Sequence, residues 1–337
     1  MDETRKPQDG RISHSVGDKI FDLRISTLPT VHGEKVAMRI VDKTKKVQAL
    51  NDLWLEGRNK IVLHKAIAQP NGIILNSGPT WSGKSTTLYS ILQELNTIQV
   101  NIMTFEDPVE IVVDGINQSQ VFPDIGYTFA TGLRTALRQD PDIIMVWEIR
   151  DSETADIALE AALTGHLVLS TIHTNSAAET VTRLINLGIK TFLLPATINA
   201  IISQRLVRRI DPTKAIKIPF SGLDMDMQDR IKKILSAIPK DEIQNRLTKE
   251  MMANPAFYIP DVSKVSHPDD AYQWRIAIYE VMEITNGIKE MIMRWATSGE
   301  IFSAAVKDGM ISMEQDGLIR ALQWVTSLEE IYSVVRI

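Results

Sequence analysis

Residues 78–86 read Gly78-Pro79-Thr80-Trp81-Ser82-Gly83-Lys84-Ser85-Thr86, and this short segment decides the fold. It matches G-x-x-x-x-G-K-[ST], the pattern of a phosphate-binding loop. The apolar run Gly72–Asn76 before it has the length of a strand, and Lys84–Leu95 after it has the pattern of a helix. A strand that delivers such a loop onto a helix N-terminus brings unpaired N–H groups and the positive end of the helix dipole to one point, where phosphate binds. The alternative, a chance glycine-rich turn, is disfavoured by the flanking strand and helix.

The loop supplies the candidate nucleotide-binding residues. We expect Lys84 to reach the β- and γ-phosphates and the Ser85 hydroxyl to ligate Mg²⁺. The other residues expected to surround the phosphates are Gly78, Pro79, Thr80, Ser82, Gly83 and Thr86.

Strands and helices alternate along residues 51–210 at the spacing of an α/β domain. Asn101–Phe105, Asp142–Trp147 and His166–Ile172 are strand candidates, and Ser152–Thr164 has the apolar spacing of one helix face. A parallel sheet with crossover helices is therefore predicted. We expect four segments: part of an N-terminal domain at 1–42, a linker at 43–50, the α/β core at 51–210 and a mostly helical C-terminal subdomain at 211–337.

Phosphoryl transfer requires a metal site, a group that positions water and cationic charge on the transferring phosphate. Glu148 ends a buried strand pattern, where a nucleotide-binding sheet places an acid near Mg²⁺. The segment Glu106–Glu110 adds acids after another strand. His166 and His173 bracket a third strand at an odd separation, so at most one of them should face the nucleotide. The arginines that could supply charge, or could be surface ion pairs instead, are Arg24, Arg39, Arg134, Arg138 and Arg150.

Composition excludes several classes of protein. The chain has 337 residues, no cysteine and a net charge of −5. The absence of cysteine rules out disulfides and thiolate metal sites, and the acidic balance disfavours a nucleic-acid-binding surface. No apolar stretch reaches about 18 residues, and the polar start of the chain does not resemble a signal peptide. We expect a cytoplasmic protein.

Taken together, these segments resemble the secretion ATPase superfamily, and more narrowly the hexameric ATPases of type IV pilus assembly and type II secretion. The resemblance runs from Pro7 nearly to the C-terminus. Its motifs are the phosphate loop, an Asp box at Thr104–Glu110, an atypical Walker B motif at Met145–Asp151 and a His box at Thr164–Asn175.

The resemblance implies specific roles. Glu106 would be the general base, Glu148 would serve Mg²⁺ (directly or through water), and His173 would sense the nucleotide. Arg24 and Arg39 would reach the nucleotide across a domain or subunit boundary, and Arg134 and Arg138 would lie near the same site. It also implies a RecA-like core between the end of a small α+β domain and a helical region, ATP and Mg²⁺ as cofactors, a homohexamer, and an inner-membrane platform protein as partner. Such a protein would be cytoplasmic and peripheral at the inner face of the membrane.

The chain departs from the family in three respects. The family's longer N-terminal region is missing, so we expect the chain to begin inside the second N-terminal domain. Asp211–Lys214 stands where zinc-binding cysteines are common, which predicts no zinc. Tryptophan stands where the family has glycine, at Trp81, Trp147 and Trp274, and also at looser motif positions, at Trp54, Trp295 and Trp324.

All six tryptophans of the chain would thus occupy glycine positions. Independent changes of this kind are improbable, because each puts the largest side chain where often none fits. Some bacterial lineages read UGA as glycine, and a translation with the wrong code writes tryptophan there. Composition favours this hypothesis: the chain has 17 glycines in 337 residues, fewer than the usual ~7%, and six more would restore that share.

Three other readings stay open at this stage. If the tryptophans are genuine, the chain is a catalytically inactive structural paralogue. A pilus retraction ATPase is a second alternative, although residues 211–273 look more like those of the assembly type. A RecA-like nucleic-acid motor is a third, disfavoured by the net charge of −5.

Overall fold

The computed structural model describes residues 3–44 and 46–335. Lys45, in the predicted linker, and the extreme ends of the predicted first and last segments lie outside the described residues. Within those ranges the strands are β1 (Gln8–Val16), β2 (Lys19–Thr30), β3 (Gly33–Asp42), β4 (Gly72–Ser77), β5 (Ile102–Glu106), β6 (Asn117–Gln120), β7 (Ile143–Val146), β8 (Leu167–Ile172), β9 (Ile198–Ile210), β10 (Ala215–Pro219), β11 (Ala256–Pro260) and β12 (Tyr272–Glu283). The helices are α1 (Gly57–Ile67), α2 (Lys84–Leu95), α3 (Phe129–Ala136), α4 (Ser152–Leu163), α5 (Ala177–Asn186), α6 (Leu194–Thr197), α7 (Met225–Ser236), α8 (Lys240–Arg246), α9 (Lys249–Ala253), α10 (Asn286–Met293), α11 (Ser298–Lys307), α12 (Met313–Leu322) and α13 (Leu328–Val334).

Seven strands form the central sheet, in the order β12-β9-β4-β8-β7-β5-β6. All neighbours pair in parallel except β12, which is antiparallel to β9. Every residue of β4, β7 and β8 is buried, as expected for parallel strands covered by helices on both faces. The predicted α/β fold is confirmed, and the helix predicted from Lys84 to Leu95 has those bounds.

The last strand of the central sheet comes from the predicted C-terminal subdomain. Residues 211–271 leave the core and form a small β10-β11 pair with helices α7 to α9, after which β12 returns to pair with β9. The central sheet therefore contains strands from both sides of the predicted boundary at residue 210. Local patterns do not show this, because the register of β12 against β9 is a long-range property.

The first three strands form a separate antiparallel sheet with two different faces. Arg11, Arg24 and Arg39 lie directly opposite one another across the three strands. The register places Ile12, Leu23 and Ile40 side by side on the other face, where Ile12 and Ile40 are 52% and 65% exposed. Like charges directly opposite each other destabilise a sheet, so the arginine row requires compensating negative charge.

Four of the six tryptophans adopt a left-handed backbone, with φ of 62° at Trp54, 69° at Trp81, 61° at Trp295 and 63° at Trp324. Within the described ranges, Asp140 is the only other non-glycine residue with positive φ. L-residues with large side chains rarely occupy this region.

Two of these tryptophans stand where other helices of the same chain have glycine. Trp295 and Trp324 lie two residues beyond the last residues of α10 and α12, just as Gly188 and Gly309 lie two residues beyond the last residues of α5 and α11. All four ends share one pair of hydrogen bonds, in which the left-handed residue and the next residue donate to carbonyls of the last turn. This is the Schellman arrangement, whose left-handed position is usually glycine.

Candidate functional site

The phosphate loop joins the end of β4 to the start of α2 and is closely packed. Gly78 has φ of 146° and Gly83 has φ of 89°. A Cβ on Gly78 would stand 2.7 Å from the backbone oxygen of Gln204. That contact is too short, and a main-chain oxygen cannot rotate out of the way as the end of a flexible side chain can. Glycine is therefore required at position 78, and the loop can follow the contour of a phosphate chain.

Lys84 is the first residue of α2, and its side chain bends back over the loop. Its Nζ donates to the carbonyl oxygens of Gly78 at 2.7 Å and Pro79 at 2.9 Å. Burial lowers the pKa of Lys84 to about 8, and the charge of Glu148 partly opposes that shift. The ammonium is thus poorly solvated and would gain from an anionic partner.

Nucleotide affinity should therefore depend on pH through Lys84. Because the pKa is lowered to about 8, the ammonium is charged below that pH and is lost above it. We expect the Kd for ADP to be constant near neutral pH and to rise about tenfold per pH unit above the pKa, because binding then requires proton uptake. Calorimetric titration at about pH 7 and about pH 9.5 measures the change.

The control for this titration is Lys84→Met, which should bind ADP weakly at both pH values and without this dependence. An equal Kd for the parent protein across the range would contradict the role of the ammonium.

The carboxylate predicted to follow β7 is held by two basic side chains. Glu148 is 7% exposed. Its Oε2 accepts from Arg150 Nε at 2.8 Å, and its Oε1 lies 3.1 Å from His173 Nε2. Its charge also opposes the lowering of the pKa of Lys84, as expected for neighbouring opposite charges. The Glu148 carboxylate therefore interacts electrostatically with the lysine of the phosphate loop.

The two histidines that bracket β8 have different surroundings. His173 lies against Glu148, whereas His166 Nδ1 lies 2.9 Å from the carbonyl oxygen of Ala161 at the end of α4. Of the two, His173 is the one placed beside the candidate acid; which of them faces a nucleotide stays a prediction.

The two glutamates of the Asp box differ in accessibility. Glu106 is fully buried and accepts from Tyr89, from Thr104 Oγ1 at 2.6 Å and from Gln118 Nε2 at 3.0 Å. Burial raises its pKa. Its role as general base stays a prediction, and three donors already occupy its oxygens.

Glu110 is a site candidate that sequence reasoning left unassigned. Burial raises the pKa of Glu110, while the charges of Arg24 and Arg39 lower it, which places this carboxylate near the arginine row. The sequence did show acids at both ends of the segment Glu106–Glu110. Spacing alone could not identify Glu110 as the one that interacts with Arg24 and Arg39.

Arg24 and Arg39 lie where the N-terminal sheet faces the α/β core. With Arg11 and Asp107 they line a cavity of about 1160 Å³ between this sheet and the core. The Arg39 guanidinium lies 4.5 Å from the centre of the Trp81 ring, and Arg24 Nε is buried without a hydrogen-bond partner. Arg11 is neutralised by Asp22, so Arg24 and Arg39 are the members of the row available to an anion.

Arg134 and Arg138 form contacts of a different kind. Arg134 Nη2 donates to Glu153 Oε1 at 2.6 Å, and Arg138 Nη1 donates to the carbonyl of Arg134 at 2.9 Å. These contacts stay within α3, the residues just after it and α4, so their proposed place near the nucleotide rests on the resemblance.

A second cavity, of about 610 Å³, adjoins the phosphate loop. Its lining includes Gly83, Thr86, Trp54, Trp274 and Tyr279. A cavity of this size beside the phosphate loop suits a nucleoside.

Mg²⁺ usually keeps several waters and takes few protein ligands beside substrate phosphates. No group of three or more His, Cys, Asp or Glu side chains that could hold a metal ion occurs in residues 3–44 and 46–335. Ser85 at the start of α2 and the buried Glu148 offer the oxygen donors that such a site needs.

A glycine-rich loop between a parallel strand and a helix is the arrangement typical of P-loop nucleotide-binding sites. The family described as "Type II/IV secretion system protein" matches residues 1–333, and the chain belongs to that family.

The chain is 44% identical over 332 residues to the type IV pilus assembly ATPase PilB of Myxococcus xanthus, covering 98% of the chain and 56% of the relative. It is 44% identical to the type II secretion system protein E of Xanthomonas campestris pv. campestris, covering 98% and 55%. The chain thus spans about half the length of these relatives.

Solved structures show the same fold. A pilus retraction motor PilT with bound ADP is similar with a TM-score of 0.66 and 25% identity, over 98% of the chain and 78% of that protein. The Legionella pneumophila ATPase DotB is similar with a TM-score of 0.66 and 24% identity, over 98% and 77%.

Proposed function

We propose that this chain binds and hydrolyses ATP as the motor of a type IV pilus assembly or type II secretion machine. The observation that carries the proposal is the arrangement around Lys84, where the phosphate loop, Glu148 and His173 meet. The names of the relatives at 44% identity support it. A phosphate-release assay with Mg²⁺ and ATP tests it.

The chemistry follows from the groups present. Lys84 would leave the carbonyls of Gly78 and Pro79 and bind the β- and γ-phosphates. Mg²⁺, held through Ser85 and Glu148, would neutralise charge on the transferring phosphate. Glu148 would orient the attacking water, and His173, in contact with it, would respond to the loss of the γ-phosphate. Arg24 and Arg39 would stabilise the charge that develops on the transferring oxygens.

We propose that the working unit is a ring, with six copies as the family resemblance implies. Arg24 and Arg39 come from a sheet that precedes the linker, so a neighbouring copy could present them as readily as the same copy. ATP should then favour assembly of the ring, because each nucleotide would contact the core of one copy and the arginines of its neighbour.

Arg39→Ala should lower turnover at least about a hundredfold, since arginines in this role contribute orders of magnitude to rate. ADP binding and the melting temperature should change little. A phosphate-release assay measures turnover, and ADP titration and thermal melting measure the two quantities that should stay the same. Light scattering in the presence and absence of a non-hydrolysable ATP analogue measures assembly of the ring.

Lys35→Ala is the matched control, because Lys35 precedes Arg39 by four residues on the same exposed strand. It should retain the parent rate. Full activity in a species proven monomeric at the assay concentration would defeat the shared-site mechanism.

The partner and location follow from the same resemblance. An inner-membrane platform protein would receive the motion, with the ATPase bound peripherally at the cytoplasmic face. No helix in the described part of the chain is both long and apolar enough to cross a bilayer.

We propose no zinc requirement, and a one-to-one zinc content of the purified protein would contradict that. Retraction is the second candidate, favoured by the fold it shares with PilT; counting pili in a deletion strain separates the two.

We further propose that the functional protein carries glycine at all six tryptophan positions. Four of them have a left-handed backbone, and two repeat the helix ends formed by Gly188 and Gly309. These contacts within one chain support recoding without reference to any family. UGA at the six codons and glycine in the mass spectrum of the native protein are expected. UGG codons would favour the inactive paralogue.

A further inference from the structure

A buried glutamine on β9 holds the phosphate loop from behind. Gln204 is 1% exposed. Its Oε1 accepts from Thr87 Oγ1 at 2.8 Å and from Asn76 Nδ2 at 2.9 Å, and its Nε2 donates to the Ser82 carbonyl at 2.7 Å. These partners lie in α2, at the end of β4 and in the loop between them. One side chain therefore joins the three parts of the phosphate site.

The backbone of the same residue completes this support. The Gln204 carbonyl stands 2.7 Å from where a Cβ on Gly78 would be, and its Nε2 stands 3.0 Å from where one on Gly83 would be. Asn76 Nδ2 also approaches the Lys84 carbonyl at 3.3 Å. The loop thus rests against residue 204 at both of its glycines.

We propose that Gln204 is a positioning residue that presets the phosphate loop for nucleotide. Its amide turns the Ser82 carbonyl inward, and that carbonyl would otherwise be free to face the bound anion. The loop N–H groups are then left to face outward. A carbonyl buried without its donor costs the full desolvation penalty, so loss of the amide should release the loop rather than leave it in place.

This inference rests on the proposed nucleotide function and is tested in the form with glycine at the six tryptophan positions. Gln204→Leu keeps the approximate volume and removes the amide. We expect the Kd for MgADP to rise at least about tenfold, because a loop that must first be ordered binds more weakly. Thr87→Val removes one of the three bonds and keeps the donation to Ser82, so its Kd should rise about threefold.

Asn199→Leu is the matched control, because Asn199 lies on the same strand and its Nδ2 donates to the Asn71 carbonyl, away from the loop. It should lower the melting temperature but leave the Kd within about twofold. A purely structural role for Gln204 predicts the same outcome for Gln204→Leu.

The outcomes are distinguishable. If the parent protein does not bind MgADP, the proposed nucleotide function fails whatever Gln204 does. If the parent binds, and Gln204→Leu and Thr87→Val, both folded at the assay temperature, bind within about twofold of it, the positioning role is overturned. If Gln204→Leu does not fold, Thr87→Val decides: an unchanged Kd overturns the proposal, and a raised Kd upholds it.

Discussion

The chain with glycine at all six tryptophan positions should bind ATP at least about a hundredfold more tightly than the chain with tryptophan. Trp81 lies in the phosphate loop with φ of 69°, and its ring takes the Arg39 guanidinium at 4.5 Å. Removing the indole frees the loop backbone and releases the Arg39 guanidinium from the ring, so that it faces only the cavity that it lines. Parallel ATP-binding titrations of both forms measure the effect.

Two surface tryptophans provide a control for the backbone argument. Trp295 is 66% exposed with φ of 61°, and Trp274 is 57% exposed within β12, outside the positive-φ set. Trp295→Gly should raise the melting temperature by roughly 2–4 °C, because left-handed geometry costs a bulky residue about 1–2 kcal/mol. Trp274→Gly should give no gain, since glycine weakens a strand. Equal changes in both variants would refute the argument.

Lys84→Ala and Glu148→Gln should separate binding from turnover. Lys84→Ala should remove most ATP affinity, because the buried phosphates lose their direct cation. Glu148→Gln keeps the shape of the side chain and should bind ATP near the parent level, with turnover reduced at least about a hundredfold. Phosphate release and nucleotide titration on the same preparations measure both quantities.

Arg183→Ala is a suitable control for these variants, since this residue lies in the last turn of α5 and not among the site residues. It should match the parent in both assays. Turnover by Glu148→Gln at the parent rate would refute the assignment of that acid.

The fold near the phosphate loop was predictable because its signals are local. The loop pattern, the apolar run of β4 and the helical spacing of α2 and α4 each lie within a few residues, and the structure has those elements at the predicted places. The pairing of Glu148 with His173 was predictable in part, because both follow strands whose ends meet at one edge of a sheet.

The remainder depends on contacts between distant residues. Gln204 is far along the chain from Ser82, and no local pattern distinguishes a buried amide on a strand from any other polar residue. The antiparallel return of β12 to β9 and the approach of Glu110 to Arg24 and Arg39 are of the same kind. They follow from packing, which the spacing of residue types does not encode.

The alternation of the N-terminal sheet has a consequence for how its gene can change. Arg39 and Ile40 are neighbours in sequence but point to opposite faces, as do Arg24 and Leu23. One residue inserted into or deleted from β2 or β3 would shift the register and turn the arginines to the outside. Substitutions on the apolar face leave that register intact, so this region should tolerate changes of residue far better than changes of length.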